Sequence, residues 1–443
     1  MEKSSYMKPY SQIIDYLQSF INYENIGFNE IKNSLYLEKL VQVLKKAENP
    51  QNSYRSIHVV GTKGKGSIST FVSFILREAG YKVGLFTSPH LACARERIQF
   101  NNKLISESDF EDAFNRLREY LGKEPEKKFT FFEIYTLVAL VWFSIKKVDF
   151  AVIEAGLGGR LDATNIIDAK ICGISSISYD HMNVLGETLS EIAAEKAAVI
   201  KKNAYCVTVP QKETVMEIIR KKCAENDAVL SVVGQNINYE IKRIDQTGAS
   251  FDFYGKNSNY KNCRISMPGG FQVSNCAVAL GICEYIMGSA QNSENLFKKG
   301  LADTFIPGRM EVLSEKPYIL IDGAQNADSA MNLKKSIEQF FDYNKLILVL
   351  GISKDKDIEG ICRNLVSVAD EVILTRASVS RAADPFLIRG YIRGKRTRVT
   401  GSVKEALGLA FSSAGKHDMI LATGSFFVIS EVRKIIRCER IDI

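Results

Sequence analysis

Short apolar runs rich in β-branched residues recur along the chain, each followed by a longer stretch in which apolar positions return every three or four residues. That change of period marks a parallel α/β sheet, whose inner strands are buried on both faces and whose crossovers are helices. The runs predict strands at Ile57–Val60, Lys82–Phe86, Phe150–Glu154, Ile171–Ile177 and Tyr205–Val209. Between Ile237 and Met267 the pattern shortens to alternating runs broken by Gly248, Gly255 and Asn257, which predicts a small antiparallel patch. A second series follows Pro307-Gly308, with strands expected at Tyr318–Ile321, Leu346–Leu350, Glu371–Thr375, Thr397–Thr400 and Met419–Ala422. The expected organisation is a first domain over residues 1–302, a linker over 303–312 and a smaller second domain over 313–443.

A chain of 443 residues exceeds what one core usually serves, which agrees with two domains. Its 46% hydrophobic residues supply large cores without disulfide staples, and its nine cysteines include no CxxC pair, so reduced thiols in a cytoplasmic compartment are expected. Residues 1–20 lack the uninterrupted apolar core of a secretory leader. The most apolar stretch, Thr136–Ile145, has ten residues, too few to cross a bilayer, and reads as a core helix. The net charge of +7 is not gathered into a basic stripe, so neither nucleic acid nor a membrane is an expected partner.

Candidate chemistry collects where strands end. Ile57–Val60 runs into Gly61-Thr62-Lys63-Gly64-Lys65-Gly66-Ser67 and then a helical pattern through Glu78. Glycines there let backbone amides converge on phosphate oxygens, the helix start adds positive potential, and Lys65 and Ser67 are the chemical candidates. Gly66 separates the lysine from the hydroxyl, so the strict GxxxxGK[ST] spacing is not met. Thr87-Ser88-Pro89-His90 follows the second strand and reads either as a ligand loop or as a Ser-Pro turn. Glu154, followed by Gly156, Gly158 and Gly159, suits a magnesium ion facing that phosphate loop, or else pairs with Arg160. Asp180-His181 follows the fourth strand as a metal or structural pair, while Glu195-Lys196 on the next helix reads in isolation as an exposed charge pair. In the second series Asp322 is placed to meet a ribose hydroxyl or a cation, with Asn326 or Asp328 as a helix cap, and Arg309 in the linker is placed to reach phosphates on domain closure.

Taken jointly these segments resemble the folylpolyglutamate synthase and dihydrofolate synthase family of Mur-type ligases. The resemblance rests on GTKGKGS, TSPH with Arg95-Glu96-Arg97-Ile98, Phe132-Glu133, EAGLGGRLDATN, DHMNVLGETLSEIAAEKA, PGRME, DGAQN, Gly351 with Asp355-Lys356-Asp357, and Thr423-Gly424-Ser425. It implies an α/β protein with an N-terminal P-loop-type, mostly parallel sheet that binds ATP, and a smaller C-terminal Rossmann-like glutamate-ligase domain. The implied activity is ATP-dependent addition of L-glutamate to a folate or dihydropteroate through an acyl phosphate, by a monomer. By the same resemblance Gly61 through Ser67, Asn275, Arg309, Asp322 and Gln325 would hold ATP. Ser67 would bind one magnesium ion, and Ser88, Glu154 and His181 a second. Lys196 would become a carbamate by reaction with carbon dioxide, which reverses its reading as a surface charge, and the family also admits a monovalent cation.

The chain departs from that family at named positions. Gln325 stands for the histidine of DGAHNP and Ala327 for its proline, Phe271-Gln272 stands for His-Gln, Lys63 for the asparagine of many bacterial members, and Ala198 for a glycine. These departures motivate two competing readings: a related ligase drifted to another acid and amino acid pair, and a weakly active nucleotide-binding paralogue.

Overall fold

Eight strands form the larger sheet: β1 (Arg55–Val60), β2 (Val83–Phe86), β3 (Ile98–Phe100), β4 (Lys103–Leu104), β5 (Phe150–Glu154), β6 (Ile171–Ile174), β7 (Tyr205–Thr208) and β8 (Val229–Val232). Their order in this computed structural model, which describes residues 9–23, 37–288 and 293–439, is β4-β3-β2-β5-β1-β6-β7-β8. β1 lies between β5 and β6 in parallel register, and these three strands are buried along nearly their whole length. That is why they read as unbroken apolar runs. Only the β2–β3 and β3–β4 pairings are antiparallel. β3 and β4 have three and two residues and β8 is half exposed, so none of them carries an apolar run for the sequence to show.

The patch expected between Ile237 and Met267 is a three-stranded antiparallel sheet of β9 (Asn238–Asp245), β10 (Gly248–Tyr254) and β11 (Asn259–Ile265). Its apolar face joins the core built on β1 and the helices Lys65–Glu78 and Gly270–Met287. The second large sheet holds β12 (Glu311–Glu315), β13 (Tyr318–Ile321), β14 (Leu346–Leu350), β15 (Glu371–Leu374), β16 (Arg396–Val399) and β17 (Met419–Thr423), ordered β12-β13-β17-β14-β15-β16. It is parallel except for β12, which pairs antiparallel with β13 and starts at Glu311, inside the segment expected to be linker.

The helix Phe131–Ile145 contains the most apolar stretch and is buried almost all round, packed into the core behind β2 and β5. Thr130 and Glu133 close its N-terminus as a capping box. Among the described residues no helix is long and apolar enough to cross a membrane.

One buried polar chain ties β1 to the loop after β5. Thr164 Oγ1 donates to Asp162 Oδ1 at 2.5 Å, and His58 Nε2 lies 2.8 Å from the same hydroxyl. The hydroxyl's single hydrogen is already given to the carboxylate, so it accepts from His58 Nε2–H. Burial, helped by the Lys201 charge, lowers the His58 pKa from 6.5 to about 3. Below pH 6.5 the unfolded chain therefore takes up a proton that the folded chain refuses until about pH 3. Stability from this site falls with decreasing pH, at up to about 1.4 kcal/mol per unit. A His58→Gln variant lacks this loss, so the melting temperature of the wild type, relative to the variant, should decline between pH 7 and pH 5. A pH-independent difference would show that His58 takes up a proton as readily in the folded state as in the unfolded chain.

Candidate functional site

The loop after β1 is held by its glycines. Gly61 has φ +147° and a Cβ there would lie 1.9 Å from Ser175 Oγ; Gly64 has φ +90° and a Cβ would lie 2.4 Å from Asn275 Oδ1. The amides of Thr62 and Lys63 both donate to the Ser176 carbonyl, at 2.8 and 3.3 Å, which turns the loop into the helix Lys65–Glu78. The first amides of that helix have no partner within it and carry the positive end of its dipole. Lys65 Nζ donates to the Gly61 carbonyl at 3.3 Å, and Lys196 Nζ, on a side chain that is 4% exposed overall, donates to the same carbonyl at 2.8 Å.

Lys196 reaches this position because its helix, Leu189–Ala197, packs directly on Gly159, where a Cβ would lie 2.5 Å from the Glu195 carbonyl. Glu195 turns the other way and pairs with Arg160 at 2.8 Å. The exposed Glu195-Lys196 pair is thus not formed, and Arg160 is bound to Glu195 rather than to Glu154. Burial, then the charge of Lys65, lowers the Lys196 pKa to about 7.

Glu154, at the end of β5, is buried and accepts the Ser88 amide at 3.1 Å. A Cβ at Gly66 would lie 3.3 Å from Glu154 Oε2, which sets this carboxylate against the first turn of the phosphate-loop helix. Burial raises its pKa and Lys65 opposes the rise. His181 sits at φ +50° with Nε2 3.7 Å from Asp180 Oδ1, and burial lowers its pKa to about 4 against the pull of Asp180. It is therefore neutral near pH 7 and retains the lone pair a metal ligand needs. Among the described residues no three His, Cys, Asp or Glu side chains are gathered as a metal-binding group. The hydroxyls of Ser67 and Ser88 with the Glu154 carboxylate still make a hard, oxygen-rich donor set of the kind magnesium takes when phosphate oxygens complete its shell.

The second domain closes over this edge. Lys356 Nζ meets Asp180 Oδ1 at 3.4 Å across the cleft. Burial raises the Asp180 pKa, but His181, Lys356 and Lys63 together bring it down to about 2. Lys63 Nζ is buried with no hydrogen-bond partner, and burial lowers its pKa to about 8 against the attraction of Asp180 and Asp328. Asp322 is half-buried behind the linker, where it accepts the Met310 amide at 3.0 Å, and Arg309 lies over the Phe426 ring at 4.7 Å. Asn326, not Asp328, caps the helix Ala327–Phe340.

A cavity of about 400 Å³ runs between the domains. Gly61, Thr62, Lys65, Ser88, His181, Lys196 and Gln325 line it, each singled out in the sequence, while Asn275 covers the loop at Gly64 from behind. Ser67, Glu154, Arg309 and Asp322 are set back from its wall. Lys65 and Lys196 contribute charged groups to its lining, and Phe132, Leu157, Phe426 and Phe427 contribute apolar ones. Sequence reasoning gave no role to Arg381, Phe426 or Ser430, which also line it. Phe426 and Ser430 follow Thr423-Gly424-Ser425 on the next helix, and that adjacency was the available signal. Arg381 had none. Phe271 is exposed and lies outside the cavity wall.

The family descriptions "Mur ligase middle domain" and "Mur ligase, glutamate ligase domain" match residues 59–283 and 308–426. The chain is 30% identical over 404 residues to the dihydrofolate synthase/folylpolyglutamate synthase of Bacillus subtilis, covering 90% of this chain and 94% of that protein. It is 31% identical over 427 residues to the dihydrofolate synthetase of Saccharomyces cerevisiae, covering 90% and 97%. Among solved structures it is similar to Mycobacterium tuberculosis folylpolyglutamate synthase complexed with ADP, with a TM-score of 0.88, 28% identity and coverage of 96% and 98%. It is also similar to E. coli FolC in complex with DHPP and ADP, with a TM-score of 0.84, 27% identity and coverage of 98% and 99%. With both domain descriptions matched and relatives of 30% and 31% identity covered nearly from end to end, the chain belongs to the folylpolyglutamate synthase and dihydrofolate synthase family of Mur ligases.

Proposed function

We propose that the protein uses ATP to join L-glutamate in amide linkage to a folate or dihydropteroate. The observation that carries this reading is the convergence of Lys65 and Lys196 on one carbonyl, with buried Glu154 set against the same helix turn, on a cavity that aromatic rings also line. A carboxylate is a poor electrophile with no leaving group, so the acceptor carboxylate first attacks the γ-phosphorus of ATP and ADP departs. The glutamate amine then attacks the acyl phosphate carbonyl, and phosphate leaves as the amide forms. Gly61 through Ser67 present amides to the phosphates, and Lys65 with Arg309 opposes the charge that spreads over the transferring group. Asp322 and Gln325 bound the nucleotide from the second domain, and Asn275 backs the phosphate loop at Gly64.

Magnesium, at sites drawn from Ser67 and from Ser88, Glu154 and His181, would neutralise phosphate oxygens during transfer. Lys196 fits beside it only after losing its charge. A neutral amine with a pKa of about 7 can add carbon dioxide, and the resulting carbamate turns a repelling cation into an anion facing the cation site. The aromatic walls suit a flat bicyclic acceptor. One chain supplies both sides of the cleft, which supports action as a monomer, and seven of the eight described cysteines are buried free thiols, which supports a reducing cytoplasm. Gln325 on the cavity wall favours one alternative, a ligase drifted to another acid and amino acid pair.

The deciding assay follows ADP release and product mass with ATP, magnesium and glutamate, comparing dihydropteroate, a reduced monoglutamyl folate and no acceptor. Acceptor-dependent ADP with a product one glutamate heavier is expected; ADP without such a product would support the alternative. Lys65→Ala and Glu154→Gln should each lower kcat on the order of 10²–10³-fold, with the melting temperature largely kept. A smaller kcat loss than about tenfold would remove either residue from the transfer step.

Carbamate formation requires the neutral amine, so it is lost as pH falls below about 7 and gained as pH rises through it. Activity should drop in carbon dioxide-depleted buffer at pH 8 and return with bicarbonate, together with a carbamate carbon signal from labelled bicarbonate that Lys196→Ala lacks. Full activity without carbon dioxide would exclude the carbamate.

A further inference from the structure

The loop between β2 and β3 is built as a stiff lever. Glu96 collects three of its amides, from Leu91 at 2.7 Å, Ala92 at 3.0 Å and Cys93 at 3.2 Å. Arg97, fully buried against the rings of Phe131 and Tyr135, donates from Nε to His90 Nδ1 at 2.8 Å. A carboxylate holding successive amides and a guanidinium holding the adjacent imidazole leave little freedom between Ser88 and Cys93. At one end of this lever the Ser88 amide is bonded to Glu154.

The other end belongs to the opposite domain. Leu91 is 6% exposed and packs into an apolar cluster whose other buried members all lie between Leu313 and Ile436. Its carbonyl accepts the Ser430 hydroxyl, on the helix Phe426–Glu439. At Gly308, in the linker, a Cβ would lie 2.8 Å from Ile429 Cδ1 and 3.3 Å from Leu91 Cδ2, so linker, lever and C-terminal helix meet at one point. Any rotation of the second domain about the linker must either carry Leu91 with it or expose this side chain to water, and the second course costs apolar burial.

We propose that Leu91 is a positioning residue that couples domain closure to the loop holding Glu154, so that the acyl phosphate is made only when the cleft is shut. This rests on the ligase reading above. Without the coupling, water attacks the acyl carbonyl in place of the glutamate amine; phosphate leaves, the carboxylate is regenerated, and ADP accumulates without amide.

The test uses the full-length chain with Leu91→Ala, Leu91→Met and Ser430→Ala. Leu91→Ala should raise the ratio of ADP to amide several-fold and raise the KM for the acceptor more than that for ATP, Leu91→Met should restore the ratio, and Ser430→Ala, which leaves the core intact, should shift it in the same direction as Leu91→Ala. A parallel fall of ADP and amide in Leu91→Ala, with their ratio unchanged in Ser430→Ala, would overturn the proposal. Hydrogen exchange with magnesium and a non-hydrolysable ATP analogue answers the same question if no acceptor yields amide, an outcome that sinks the ligase reading alone. Binding should protect residues 88–93 and 426–439 together in the wild type and only the loop in Leu91→Ala. Joint protection in Leu91→Ala, or none in the wild type, would rule the coupling out.

Discussion

Two ammonium groups drawn to one carbonyl oxygen impose the central constraint on this molecule. Lys65 and Lys196 both donate to Gly61, and Lys196 does so out of contact with solvent. Like charges this close repel strongly where water cannot screen them, so the arrangement persists only because packing fixes both lysines and because one can shed its proton. Lys196 is the one that yields, with its pKa near 7. The surroundings follow from the same constraint. Gly159 is glycine because the lysine helix approaches it more closely than a Cβ allows, and Gly61 because a Cβ there would meet Ser175 Oγ. Half-buried Asp180 and buried Asp162 pull the Lys196 pKa back up, and Lys65 in turn opposes the rise that burial gives the Glu154 pKa.

Both sheets bring their chemistry to the cleft by the same route. β1, β2, β5 and β6 run parallel, so the loops that follow them emerge at one edge, and the loops after β13, β14 and β17 emerge facing it. A parallel sheet delivers loops from distant points in the sequence to one line in space, which explains how residues 61, 88, 154 and 181 become neighbours. The cross-cleft pair of Lys356 and Asp180 completes the arrangement. Neither domain alone encloses the cavity, so access of water to the reacting groups is governed by the angle between the domains.

What the sequence disclosed and what it concealed divide along physical lines. Strands buried on both faces, such as β1, β5 and β14, were visible because their residues have no polar face to interrupt the run. The short antiparallel edge of β3 and β4 was not, since two or three residues make no period. Within the site, the glycine spacing showed the phosphate loop because backbone approach restricts residue type. Lys196 alone read as a surface charge, since nothing in Glu195-Lys196 reveals that the helix rests on Gly159; only the resemblance recovered its burial. Arg381 stayed unseen because its place on the cavity wall depends on a loop path that leaves no pattern in the local sequence. The role of Leu91 was hidden for a different reason, because an apolar residue in a loop gives no indication of which domain's core receives it.

The departures at Gln325 and Lys63 leave the two sides of the cleft differently charged. Where relatives carry a histidine, Gln325 faces the cavity without charge, and the helix behind it keeps its start because Asn326 caps it in place of any contribution from the replaced proline. Where many bacterial relatives carry asparagine, Lys63 places an ammonium group, buried and without a hydrogen-bond partner, within electrostatic reach of Asp180 in its own domain and Asp328 across the cleft. Asp328 lies three residues beyond Gln325, so the field of the Lys63 charge reaches the start of the helix that follows Gln325. A cation fixed on the phosphate loop stays in place when the domains part, whereas one on the second domain arrives only on closure. The Lys63 charge is therefore independent of domain position, while the hydrogen bonds of Gln325 contribute only once the cleft is shut.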